Sequence, residues 1–147
     1  MLRMAKVERF EDLNVWQEAR MLANDVYKSI LSNDSIRDYP LKDQLNRSSG
    51  SVMDNIAEGF DRKGNKEFRQ FLTVAHGSNG ETKSQLYRSF DRNYITKNQL
   101  DQFLKRVENI SKMINGLIKY LNKTELTGAK YKVEEEAEFY GLENFEL

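Results

Sequence analysis

Residues 100 to 121 carry the pattern that most restricts the fold: Leu100, Leu104, Val107, Ile110, Ile114, Leu117 and Leu121 recur at intervals of three and four. That period gathers them on one side of an α-helix but scatters them over both faces of a strand, so only the helix buries them together. Thr96 and Gln99 form a capping-box pair that starts this helix. With Phe103 and Ile118 the apolar face widens to three columns, more than one bundle seam requires, which offers surface to another subunit.

Three weaker patterns precede it. Asp12 is a candidate N-cap for a helix with apolar columns at Leu13, Trp16, Ala23, Tyr27 and Ile30 and at Val15, Ala19, Leu22 and Val26. Trp16 reads as a core anchor. The polar run 32–35 ends that helix, and Pro40 suits the first turn of a second one beginning near Tyr39, where a missing N–H costs nothing. Its inward stripe is Leu41, Leu45, Ser48, Val52, Ile56 and Gly59, ending near Phe60 before the turn Arg62, Lys63, Gly64. Asn65 is placed to cap a third helix, with the stripe Phe68, Phe71, Leu72, Ala75, Ser78, Thr82, Leu86 and Phe90. Gly77 and Gly80 interrupt it at about 1 kcal/mol each relative to alanine, which points to a close helix contact or a local kink. Short connections between long helices make neighbours antiparallel, so the expected fold is all-α: an up-down-up-down four-helix bundle over residues 1–122.

Composition sets the outer bounds. A chain of 147 residues fits one domain, and one proline with 31% charged residues argues against a turn-rich β protein. No apolar run reaches the roughly 18 residues of a membrane span, the first residues lack the apolar core of a secretory signal, and there is no cysteine, so a cytoplasmic location and no membrane partner are expected. The formal charge is zero, yet residues 123–147 hold three basic against seven acidic side chains, leaving the body net basic. That acidic, aromatic-containing tail, with Glu134, Glu135 and Glu136 in a row and Phe139, Tyr140 and Phe145 nearby, is read as a separate extension.

Reactive constellations are hard to assemble from this inventory. His76 is the single histidine, no carboxylate stands three or four residues before it, and the Glu and Glu-x-x-His pattern of bundle metal sites is missing, so no metal, cofactor or catalytic residue is expected. Asn55 and Glu58 flank the buried side of the second helix and are read as a structural polar core, bonded to partners such as Arg47, Ser78, Asn79 or Thr82. The densest basic cluster, Arg62, Lys63, Lys66 and Arg69, straddles the turn between helices two and three. Charge at the end of helix two suits its dipole, whereas Lys66 and Arg69 oppose the dipole of helix three. Basic side chains beside free helix N–H groups suit phosphate, which makes these four the candidate nucleic-acid contacts.

Phe10-Glu11-Asp12-Leu13, Val15-Trp16-Gln17-Glu18-Ala19, Leu45 to Arg47, Asn55-Ile56-Ala57-Glu58-Gly59, Phe71-Leu72, Ala75-His76-Gly77-Ser78 and Glu81 together resemble the four-helix-bundle proteins encoded in 23S rRNA intervening sequences. The likeness runs from residue 10 to about residue 121. It implies a homopentamer and no established activity. A relative, the accessory variability protein of diversity-generating retroelements, implies RNA, DNA or a nucleoprotein such as a reverse transcriptase as partner. The chain departs from the pattern at Asn79-Gly80, where the family usually carries leucine or another apolar residue. The expected function is a non-enzymatic, homo-oligomeric binding or scaffolding protein with a basic surface for RNA or a nucleoprotein. The alternative is a protein-only scaffold that acts through its tail.

Overall fold

The computed structural model describes residues 7–127, with side chains to residue 124. The acidic tail expected from residue 123 lies, from residue 128 onward, outside the described residues. After a 3₁₀ turn at Phe10–Asp12 come α1 (Asn14–Val26), continued by a π-helical turn at Tyr27–Leu31, then α2 (Tyr39–Asp61), α3 (Asn65–Asp91) and α4 (Lys97–Thr127). No strand occurs among the described residues. Helix ends follow local chemistry. Asp38 accepts the Leu41 N–H at 3.3 Å ahead of Pro40, and in the Thr96/Gln99 box Gln99 Oε1 accepts the Thr96 N–H at 2.8 Å while Thr96 Oγ1 accepts the Gln99 N–H at 3.1 Å.

Cross-helix contacts establish the antiparallel order, because one partner's number falls as the other's rises. Between α2 and α3 the pairs are Ser48 with Gln85 and Ser51 with Ser78; between α3 and α4 they are Asn65 with Thr124, Asn79 with Ser111, and Lys83 with Glu108. Arg106 reaches Asp25 at 2.6 Å across α1 and α4. The chain is therefore an all-α antiparallel four-helix bundle. Its core is built from Leu22, Val26, Leu45, Val52, Ile56, Leu72, Leu86, Ile110, Ile114 and Leu117, all within 1% of full burial.

Several local expectations need correction. Asp12 belongs to the 3₁₀ turn, and Leu13 holds the N-cap position of α1. Tyr27 stands 55% exposed, so the buried column of α1 is Val15, Ala19, Leu22 and Val26, continued by Ile30. Trp16 is half-buried rather than central, edge-on to Phe10 at 5.1 Å with Arg20 over its ring. Gly64, not Asn65, holds the N-cap position of α3. The three columns of α4 are mostly spent inside the chain, for Leu104 and Ile118 also pack against the core.

Gly77 and Gly80 are the clearest surprise. The helix runs unbroken through them, and a Cβ at either would meet nothing within 4 Å, so they face open space and not a neighbouring helix of this chain. The close approach lies at Gly59, where a Cβ would come within 2.6 Å of the Phe71 Cβ; hydrogen there lets α2 and α3 converge. Beside the two open glycines, Asn79 is fully buried and donates its amide to Val107 O at 2.8 Å and Ser111 Oγ at 2.9 Å. Asn79, expected as a partner of Asn55 and Glu58 on α2, thus bonds to α4 instead.

Candidate nucleic-acid interface

The basic turn takes its shape from the end of α2. Arg62 N–H closes the helix on Glu58 O, Lys63 N–H reaches back to Phe60 O, and Lys63 itself adopts a left-handed φ of 61°. Gly64 then extends the chain beneath the folded-over Glu67 carboxylate, which would collide with any side chain at that position. Arg62 pairs with Glu58 at 2.9 Å and lies over the Phe71 ring at 5.3 Å. Lys63 and Lys66 are exposed, and Arg69 is half-buried. The four predicted basic residues therefore share one end of the bundle. Glu58, Asp61 and Glu67 interleave with them, which leaves the local charge balance only slightly positive.

Two features add to this end, and both come from tertiary structure. Gly64 gives α3 no side-chain cap, and the Asn65 side chain is used elsewhere, donating to Thr124 Oγ1 at 3.0 Å. The first N–H groups of α3 thus lack a side-chain acceptor from the N-cap, and the dipole favours an anion there. The same Asn65–Thr124 bond draws the last turns of α4 to this end, adding exposed Lys119 and Lys123. Neither lysine belongs to a cluster in sequence.

Asn55 and Glu58 part company. Asn55 is half-buried and donates to Ser51 O at 2.8 Å and Ser51 Oγ at 2.9 Å; Ser51 in turn shares a hydrogen bond with Ser78 at 2.8 Å. Its link to α3 runs through Ser51. Glu58 is not part of a polar core, because its side chain is 53% exposed and pairs with Arg62 on its own helix. The actual polar core is one turn further on: buried Ser48 donates to Gln85 Oε1 at 2.6 Å and accepts from Thr82 Oγ1 at 2.8 Å. Continuing the sequence stripe Ser78, Thr82 by one more step would have found Gln85.

Above this seam α2 and α3 diverge into an open cleft of about 510 Å³. Arg47, Ser78 and Glu81, three polar residues of the motifs that carry the sequence resemblance, line it. At its far end Arg88 donates to Gln44 Oε1 at 2.5 Å. Beyond lies a lock that sequence reading missed: Asp38 accepts from Arg92 at 2.6 Å and from the Tyr94 hydroxyl at 3.0 Å, joining the start of α2 to the turn before α4. The Arg92 guanidinium holds the Asp38 carboxyl below its ordinary range, while burial and the Asp38 carboxylate push the Tyr94 hydroxyl up.

His76 is half-buried, with Asn115 Nδ2 at 3.4 Å from its Nε2. Among the described residues no three His, Cys, Asp or Glu side chains gather as a metal site would require, and no helix is long and apolar enough to cross a membrane.

The chain is similar in structure to a crystallised protein of unknown function from the S23 ribosomal protein family of Bacteroides thetaiotaomicron, with a TM-score of 0.64 at 23% identity over 71% of this chain and 98% of that one. At that identity the likeness speaks for the bundle alone. No curated protein matches the sequence significantly. The model of the 23S rRNA-intervening sequence protein family matches residues 11–116, from the turn before α1 to the sixth turn of α4, and the chain belongs to that family.

Proposed function

We propose that this protein is a non-enzymatic, homo-oligomeric binding or scaffolding protein of the cytoplasm that holds RNA or a nucleoprotein against the α2–α3 end of its bundle. The observation that carries the reading is the convergence of Arg62, Lys63, Lys66 and Arg69 with the uncapped start of α3 and the lysines of α4. Positive side chains beside the N–H groups of a helix start suit phosphodiester oxygens, and the contact needs no base-specific pocket. The same class of partner is what the sequence resemblance implies, through a retroelement relative of the family. Self-association draws support from α3, where exposed Val74 and Tyr87 bracket Gly77 and Gly80 on an open face that a second backbone can approach closely.

The test is titration of the full chain with single-stranded RNA at about 50 mM salt. Exchanging all four basic residues for glutamine is expected to weaken binding at least tenfold and to flatten the dependence of log K on log salt by up to about 3, four phosphate contacts at roughly 0.7 each. Unchanged affinity rejects this surface. Light scattering of the same sample checks self-association, and a monomer rejects that part. Capture of a protein partner that survives the four exchanges, with no RNA bound, favours the protein-only scaffold.

A further inference from the structure

We propose that the cleft between α2 and α3 binds a small polyhydroxylated oxyanion of the phosphorylated-sugar class, with the anionic group held between Arg47 and Arg88. Cross-helix bonds fix how the cleft runs. Gln44 with Arg88 marks one end, Ser48 with Gln85 the middle, and Ser51 with Ser78 the other end, so it follows α2 for about 10 Å. Its volume of about 510 Å³ suits a small molecule, and every side chain lining it is polar.

The floor of the cleft holds donors that the chain itself leaves unused. Gln85 is only 7% exposed and its Oε1 accepts the Ser48 hydroxyl at 2.6 Å, yet its Nε2 has no hydrogen-bond partner among the described residues. Gln85 lines the cleft, so an acceptor placed there is within its reach. Ser51 and Ser78 repeat the arrangement at the other end. One hydroxyl hydrogen is spent between them at 2.8 Å and Asn55 Nδ2 donates to Ser51 Oγ; whichever serine donates, the other's hydrogen meets no acceptor among the described residues. Largely buried N–H and O–H groups call for acceptors, so this floor favours an oxygen-rich ligand.

The walls set the sign of its charge. Arg88 donates to the neutral amide of Gln44 at 2.5 Å and so keeps its charge, while the exposed Arg47 meets only the exposed Asp43 at 3.4 Å. Arg88 is one turn from Gln85 on α3 and Arg47 adjoins Ser48 on α2, which sets both guanidinium groups beside the same stretch of floor. Phosphate uses these donors most fully, because it offers three oxygens. Glu81, one turn from Gln85 toward Ser78, has no ion pair or hydrogen bond among the described residues. Its carboxylate repels an anion but accepts from a hydroxyl, which puts the hydroxyl-bearing part of the ligand at the Ser51 and Ser78 end. No aromatic ring lines the cleft, so a nucleobase has nothing there to stack on.

Titration of the isotope-enriched full chain with glucose 6-phosphate tests this through the side-chain amide resonance of Gln85. That resonance should shift and saturate at millimolar probe, and an unmoved one overturns the site. Arg47→Ala with Arg88→Ala should weaken binding at least about tenfold in a variant whose urea denaturation shows it folded; unchanged affinity overturns the placing of the anion. Inorganic phosphate brings the anion without hydroxyls, and glucose the hydroxyls without the anion. Both should bind at least about tenfold more weakly, and phosphate binding as tightly as the sugar phosphate overturns the polyhydroxylated class. Gluconate binding more tightly than glucose 6-phosphate overturns the choice of phosphate over carboxylate. Glu81→Gln should cut the preference for the sugar phosphate over inorganic phosphate by about three- to tenfold, because it removes a hydroxyl's acceptor and a charge that repels both anions. Exchanging Arg62, Lys63, Lys66 and Arg69 for glutamine should leave probe binding unchanged. Loss of binding there would put the anion at the α2–α3 turn and overturn the cleft as its site, whereas failure of RNA to bind at that turn leaves the cleft standing.

Discussion

The two seams of the bundle are built from different chemistry. Where α4 meets the rest of the chain, Val107, Ile110, Ile114 and Leu117 are buried apolar side chains, and buried polar side chains join in at two places, Asn79 to Val107 and Ser111, and Thr124 to Asn65. Where α2 meets α3, the contact is small and polar: Ser48, Thr82 and Gln85 in one linked set, Ser51 and Ser78 in another, and Gly59 letting the backbones converge. Apolar area supplies stability without direction, whereas hydrogen bonds between particular atoms are satisfied in one register only. The α4 seam therefore holds the bundle together, and the α2–α3 seam specifies how its helices align, leaving the polar cleft above it open.

This division makes its largest prediction in the apolar seam. Ile114→Ala should lower unfolding free energy by about 2 to 5 kcal/mol, measured by urea denaturation, while Ser48→Ala should cost only about 1 to 2 kcal/mol through its two lost partners. Equal losses would erase the distinction. Glycines sharpen it next. Gly59→Ala should destabilise by about 1 to 3 kcal/mol because the Phe71 Cβ has no room to withdraw, whereas Gly77→Ala, facing open space, should raise the stability of the isolated protomer by up to about 1 kcal/mol. In the same light-scattering assay, a drop in subunit number with Gly77→Ala would mark that face as part of the assembly.

The smallest effect belongs to the Asp38 lock beyond the cleft. Its carboxyl titrates below the ordinary value in the folded chain, chiefly through Arg92, so its contribution is present above an unfolded value of about 4 and is lost as pH falls through the lower folded value. Asp38→Asn keeps an N-cap but removes the charge. The gap in melting temperature between wild type and variant should be present at pH 7 and close below about pH 4. A gap constant down to pH 2.5 would show that the ion pair is not its source.

Much of this was legible in advance, and unevenly so. The α4 periodicity, its Thr96/Gln99 cap and the Pro40 start of α2 were readable because each depends on residues within a few positions of one another. The four basic residues of the α2–α3 turn were equally visible as a cluster. Glu58 was misjudged because helical spacing locates a side chain on a cylinder only to within about one column, and an exposed Arg62 one turn away was enough to draw it outward. Gly77 and Gly80 were read as a close helix contact or a local kink, and the described residues show neither, because sequence cannot say which side of a helix its neighbours occupy.

What the amino-acid sequence determined by itself is the set of four helices and their apolar faces, since helix period, caps and turns are short-range properties of the chain. Only the tertiary structure decided that Ser48 would meet Gln85, that Asp38 would meet Arg92, and that Asn65 and Thr124 would bring the end of α4 beside the basic turn. These partners are 37 to 59 residues apart. Their pairing follows from the packing of whole helices, a cooperative outcome that no local pattern encodes.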